Sequence, residues 1–215
     1  MSAAQRTRIF LVRHGETEWN LTRRAQGHAD VPLNDAGRRQ AQHVAEELFD
    51  ARFAAVYSSD LSRASETARP IAEAHGLAVV TDPAWREVDQ GKWEGLGNDE
   101  IERRWPELWD TEQRWSRARP GGEAPQAVLE RALLALARIA ERHPGEHVVV
   151  VSHGGVIRWL TAHATGLGIE QAGGVRGIGN GGVLEMDVWI ADGEVRFSDL
   201  VRMDGKDTAH GDPNA

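Results

Sequence analysis

The chain has 215 residues, 40 % of them apolar and 27 % charged, which suits one globular domain and excludes wholesale disorder. A net charge of −8 argues against a surface that wraps nucleic acid or binds an anionic membrane, and no apolar run approaches the ~18 residues of a transmembrane helix. Without cysteine there are no disulfides, no thiol catalysis and no Cys-ligated zinc; the N-terminal residues lack a signal-peptide pattern, so the cytoplasm is the expected location. In chain order, Ile9 to Arg13 reads as a buried strand, and Asn34-Asp35 caps a helix running to about Asp50. Phe53 to Tyr57 is a second strand, followed by a helix from about Asp60 to His75 and a third strand at Leu77 to Val80. Residues 98–118 read as helical and rich in tryptophan. Pro120-Gly121-Gly122 then precedes an amphipathic helix over 125–142. His147 to Ser152 is the most apolar strand, and the helix after it runs to about Thr165. A glycine-rich loop spans Gly173 to Gly182. Val183 to Ile190 and Glu194 to Leu200 form a hairpin around Asp192-Gly193. Strands alternating with helices predict an α/β domain over residues 1–203, its sheet covered on both faces, with a flexible tail over 204–215.

Ligands of open α/β sheets bind beyond the carboxyl ends of the strands. Three strand ends here carry polar clusters: Arg13-His14-Gly15-Glu16, Ser58-Ser59-Asp60 with Arg63 beyond, and Ser152-His153-Gly154-Gly155. The glycines permit tight turns and a close approach of backbone N–H groups to a ligand. All but Lys92 and Lys206 of the 25 basic residues are arginine. That bias matches genomic composition as well as phosphate recognition, so each arginine must be judged by position. Arg63 falls in the first turn of its helix, where the macrodipole disfavours a cation by about 0.3–1 kcal/mol unless an anion sits between them.

Leu11-Val12-Arg13-His14-Gly15-Glu16-Thr17, Ser58-Ser59-Asp60-Leu61-Ser62-Arg63-Ala64, Arg86 to Gly95 and Ser152-His153-Gly154-Gly155 together resemble the histidine phosphatase, or phosphoglycerate-mutase-like, superfamily. The resemblance runs from about Ile9 to Leu200, with four motifs in order. It implies a single-domain three-layer α/β/α sandwich with a mostly parallel central sheet. It further implies that His14 is the nucleophile of a phosphohistidine intermediate, that Arg13, Arg63 and His153 bind phosphoryl oxygens, and that Glu87 protonates the leaving oxygen. Asn20 resembles the residue completing the pocket, Gln26-Gly27 a turn overhanging it, and Gly154 belongs to the second histidine's motif. Asp89 and Glu94 compete with Glu87 for the acid's role. No cofactor or metal is expected. The expected partner is a small phosphorylated metabolite, with no nucleic acid or membrane, and self-association into a homodimer is left open.

Three strings are set aside. Gly177-x-Gly179-x-x-Gly182 precedes a strand instead of opening a helix, Pro144-Gly145 separates His143 from His147, and Ser152-His153-Gly154 lacks the glycine of a nucleophile elbow. Trp105, Trp109 and Trp115 either pack their segment onto the sheet or wall the site. The leading reading is a metal-independent phosphatase of a small phosphomonoester, phosphosugar or phosphoglycerate in type. Its first rival is a cofactor-dependent phosphoglycerate mutase. The mixed charges of residues 100–114 favour an uncharged or mildly polar substrate body over a trapped bisphosphate. The second rival, an inactive binding module, is disfavoured because every motif histidine and arginine is present. The motif's usual Gly-Gly-Glu-Ser reads Gly121-Gly122-Glu123-Ala124 here, which predicts a weakened helix cap.

Overall fold

A computed structural model describes residues 5–109, 115–198 and 200–203; the tail predicted for 204–215 lies outside the described residues. The strands are β1 (Thr7–Arg13), β2 (Ala55–Ser58), β3 (Val79–Thr81), β4 (His147–Ser152), β5 (Val183–Ala191), β6 (Glu194–Phe197) and β7 (Val201–Arg202). The helices are α1 (Glu18–Leu21), α2 (Asp35–Glu47), α3 (Ser62–Ala74), α4 (Asn98–Arg104), α5 (Pro125–Arg142) and α6 (Gly154–Ala164). Among the described residues the strands form one sheet in the order β3-β2-β4-β1-β5-β6, with β7 also on β5. β3, β2, β4 and β1 are mutually parallel, while β5, β6 and β7 pair antiparallel.

The layering follows from period-two alternation in runs apolar on both faces. Ile9 and Leu11 of β1, with Val148 and Val150 of β4, join Val128, Leu136 and Ile139 of α5 and Leu160 of α6 in one core. Phe10 and Val12, with Val149 and Val151, face Val44 of α2 and Ala68 and Ile71 of α3 in the other. The chain is thus an α/β/α sandwich around a mixed sheet. No helix among the described residues is long and apolar enough to cross a membrane.

The helix expected over 98–118 ends at Arg104. Pro106 lacks an N–H and steers the residue before it out of the helical region, so Trp105 sits at φ −138°, ψ 60° and a 3₁₀ turn over Pro106–Leu108 follows. Trp105 and Trp109 therefore do not share a helical face; both rings pack instead on Trp93, at 6.4 and 6.0 Å. Ala124 is the N-cap of α5 and supplies no side-chain bond, as the departure at that position predicted. The short helix α1 was not foreseen. A reciprocal cap closes it, in which Thr17 Oγ1 accepts from the Asn20 N–H and Asn20 Oδ1 from the Thr17 N–H.

Candidate active site

β1 and β4 are adjacent and in a register that pairs Arg13 with Ser152. Each strand continues one residue further into a histidine, so the sheet itself sets His14 beside His153, with ring centroids 5.1 Å apart. The His14 backbone N–H, bonded to the Ser152 carbonyl at 3.0 Å, extends the ladder to this point. No side chain fits at the turns that follow. A Cβ on Gly15 would lie 2.5 Å from the Gly37 carbonyl oxygen, and one on Gly155 would lie 2.4 Å from Glu87 Oε1.

A cavity of about 370 Å³ opens over these strand ends. Of the residues singled out from the motifs, Arg13, His14, Asn20, Gln26, Gly27, Arg63, Glu87 and Gly154 line it. His153 does not reach the wall; it is fully buried beneath His14. Of the three competing carboxylates only Glu87 lines the cavity. Asp89 accepts the Gly91 N–H at 2.8 Å and Glu94 accepts the Ala29 N–H at 2.8 Å, so both brace turns.

The hydrogen bonds fix both imidazole tautomers. His14 Nδ1 lies 2.7 Å from the Gly15 carbonyl, which can only accept, so Nδ1 carries the proton and Nε2 holds the lone pair. Arg63 Nε–H donates to His153 Nδ1 at 3.3 Å, which places the proton of neutral His153 on Nε2. Burial foremost, then the positive charge of Arg63, holds both histidines well below the ordinary imidazole range. They are neutral at physiological pH. Arg63, pushed down by burial to about 10, remains a cation there. Its Nη1 and Nη2 donate to the Ala29 and Gly27 carbonyls, each at 2.8 Å, tying the Gln26–Asp30 turn to the site. Arg13 Nη1 donates to the Ile178 carbonyl at 2.6 Å. Arg13 Nε and His153 Nε2 are buried with no hydrogen-bond partner, and Arg13 lines the cavity, where an anion's oxygen would satisfy its donor.

Glu87 spans two backbones: Oε1 accepts from the Val88 N–H at 2.9 Å and Oε2 from the Gly155 N–H at 3.1 Å, at the start of α6. Its carbonyl accepts from His28 Nε2 at 2.9 Å and Arg131 Nη2 at 3.0 Å. His28, which belongs to none of the motifs, thus holds the backbone of the candidate acid. Sequence reasoning missed Asn180 as well. Its Nδ2 donates to the His14 carbonyl at 2.9 Å and to Asn20 Oδ1 at 3.3 Å, stapling two motif residues together. The only signal was its place in a glycine-rich loop, and that loop's position depends on β5 joining β1, which no local pattern reveals. Gln26 Oε1 accepts from Thr17 Oγ1 at 3.0 Å, so its oxygen is committed to the turn.

Trp109 and Trp115 line the cavity, and Trp115 also packs on Trp159 of the core at 6.2 Å. Both readings of the tryptophans hold in part. The charged residues of 100–109 do not line the cavity, and Asp110, Glu112 and Arg114 lie outside the described residues.

Two buried neutral histidines carry a consequence for stability. In the unfolded chain each takes up a proton below its ordinary pKa of about 6.5, whereas the folded chain does not, so stability is complete above that pH and falls as pH drops below it. Each contributes a slope of up to about 1.4 kcal/mol per pH unit. The melting temperature is expected to fall between pH 6.5 and 5, and less steeply in His14→Asn; equal slopes would contradict the buried neutral assignment.

The histidine phosphatase superfamily (branch 1) family model matches residues 9–197. Phosphoglycerate mutase-like protein 4 of Arabidopsis thaliana is 48 % identical over 161 residues, 73 % of this chain and 70 % of that protein. The metal-independent phosphoserine phosphatase of the same plant is 40 % identical over 164 residues, 74 % of this chain and 69 % of that one. The native structure of a mycobacterial glucosyl-3-phosphoglycerate phosphatase superposes with a TM-score of 0.83 at 30 % identity, covering 98 % of this chain and 100 % of its own.

Proposed function

This chain belongs to the histidine phosphatase superfamily and is a phosphoric monoester hydrolase, and from that premise we propose that it hydrolyses a small phosphomonoester, without a metal ion, through a phosphohistidine on His14. The observation that carries this reading is an unprotonated His14 Nε2 at a cavity floor that Arg13 and Arg63 also line, with two partnerless buried donors beside it, Arg13 Nε–H and, behind the lining, His153 Nε2–H. A transferring phosphoryl group keeps its negative charge, so positioned donors and cations lower its barrier most. In the first step His14 Nε2 forms a bond to phosphorus as the P–O bond to the alcohol breaks, and Glu87 passes a proton to the departing oxygen. In the second, water attacks phosphorus, Glu87 takes its proton back, the N–P bond breaks and phosphate leaves. Arg13, Arg63 and Asn20, which line the cavity, hold the phosphoryl oxygens through both steps, and the buried His153 Nε2–H backs the phosphoryl site from behind His14.

The phosphoserine- and glucosyl-phosphoglycerate-directed relatives support a small hydroxylated metabolite as the alcohol. The mutase-like relative keeps a second reading in view. Mutase activity would require the phosphoryl group to be returned to the alcohol instead of to water. Inorganic phosphate release across phosphosugars, phosphoglycerates and phosphoserine is expected to outpace interconversion of 2- and 3-phosphoglycerate. Interconversion running faster would establish the mutase.

A further inference from the structure

The cavity holds more positive charge than a phosphoryl group can use. Among the described residues six arginines line it against the single carboxylate of Glu87, in a chain whose net charge is −8. Arg13 and Arg63 stand at the floor, and Arg119 and Arg158 are bonded to backbone carbonyls of Arg117, Ala172 and Val175. Arg23 and Arg24 differ from these four. Their side chains are exposed, and neither has a carboxylate partner among the described residues. Arg24 donates once, from Nη1 to the Gly95 carbonyl at 3.1 Å, and keeps the rest of its five donors.

Their backbone, by contrast, is fixed. The Arg24 N–H bonds to the Trp19 carbonyl, Ala25 exchanges bonds with Leu96 and Gly95, and the Asn98 N–H bonds to the Arg23 carbonyl. Arg23 is held at φ 53°, a left-handed conformation that costs a non-glycine residue of order 1 kcal/mol or more. The same turn begins with Asn20, a wall residue of the phosphoryl site. Arg23 and Arg24 lie three and four residues beyond Asn20, which the chain can span by no more than about 11 and about 14 Å, so this pair stands within one small metabolite's length of that site.

We propose that Arg23 and Arg24 form a second anion subsite, so that the substrate carries a carboxylate or further phosphate at the end opposite the transferred phosphoryl group. The inference rests on the reading that the phosphoryl group sits at His14. Uncompensated cations at the mouth of a partly enclosed cavity are favourable only toward a ligand that brings the opposite charge. Planar guanidinium forks suit both anions.

Non-hydrolysable ligands test this without turnover. Binding of ω-phosphonoalkanoic acids of two to five methylenes is compared by calorimetry with that of their carboxamides and of the matching bisphosphonates. At the best length the acid is expected to bind about tenfold more tightly than the amide, with the advantage shrinking at high salt. Preference for the bisphosphonate would mark the second group as phosphate, and preference for the acid as carboxylate. The acid-to-amide ratio should fall to about one in Arg23→Gln/Arg24→Gln, fall below one in Arg23→Glu, and be unchanged in the exposed Arg39→Gln. A ratio near one at every length in the unaltered protein, or one that survives the double substitution, overturns the subsite. Failure to release phosphate from any ester, with the ratio intact, would overturn the phosphatase reading alone.

Discussion

Replacing His14 with Ala is expected to lower kcat on the order of 10³-fold or more while leaving the protein folded and able to bind phosphate. Among the described residues the side chain supplies the only unprotonated imidazole nitrogen at the cavity floor, since His153 points its lone pair at Arg63 and lies behind the lining. Arg13 and Arg63 remain after the substitution, so affinity for inorganic phosphate should change by less than about tenfold. One hydrogen bond, to the Gly15 carbonyl, is lost along with a buried ring, which costs about 1–3 kcal/mol of stability. Steady-state kinetics with a melting curve on the same preparation separates the two effects. A folded His14→Ala protein retaining a tenth of its turnover would remove His14 from the chemistry.

The second large effect is expected at Glu87. An alkoxide is a poor leaving group unless protonated as the P–O bond breaks, whereas a nitrophenolate leaves without help. Glu87→Gln keeps the shape of the side chain. Its amide oxygen can still accept the Gly155 N–H, but it cannot deliver the proton. Alkyl phosphates should slow by about 10²–10⁴-fold and p-nitrophenyl phosphate far less, so the ratio between them is the diagnostic quantity. If both slow equally, Glu87 serves to position α6 and the cavity wall. Gly155 offers an independent probe, because a Cβ there would push directly on the carboxylate at 2.4 Å.

The parts of this arrangement that were legible in the sequence are those encoded locally. Uninterrupted apolar runs at Ile9–Val12 and Val148–Val151 announce two central strands, and Arg13-His14-Gly15 and Ser152-His153-Gly154 mark what lies at their ends. That β1 and β4 are neighbours in a register setting His14 against His153 is a property of the whole sheet. The four motifs in order supplied it by resemblance, and no local pattern could. Three features escaped for separate reasons. Pro106 ends α4 early, a local signal overridden in the reading by the spacing of the tryptophans. Asn180 reaches His14 only because β5 pairs with β1, across 166 positions of sequence. The mixed charges of residues 100–114 say nothing of the cavity's charge, because Arg23 and Arg24 enter it from the turn after α1, a helix of four residues too short to leave a periodic trace.

Rapid quenching during turnover of a ³²P-labelled phosphomonoester tests the central claim most directly. The protein should carry label that is stable to base and lost in acid, as a phosphoramidate is, and peptide mapping should place it on the peptide containing His14. Label of that character on another residue, or persisting in His14→Ala, or a full turnover with no phosphorylated protein at any time, would contradict the account.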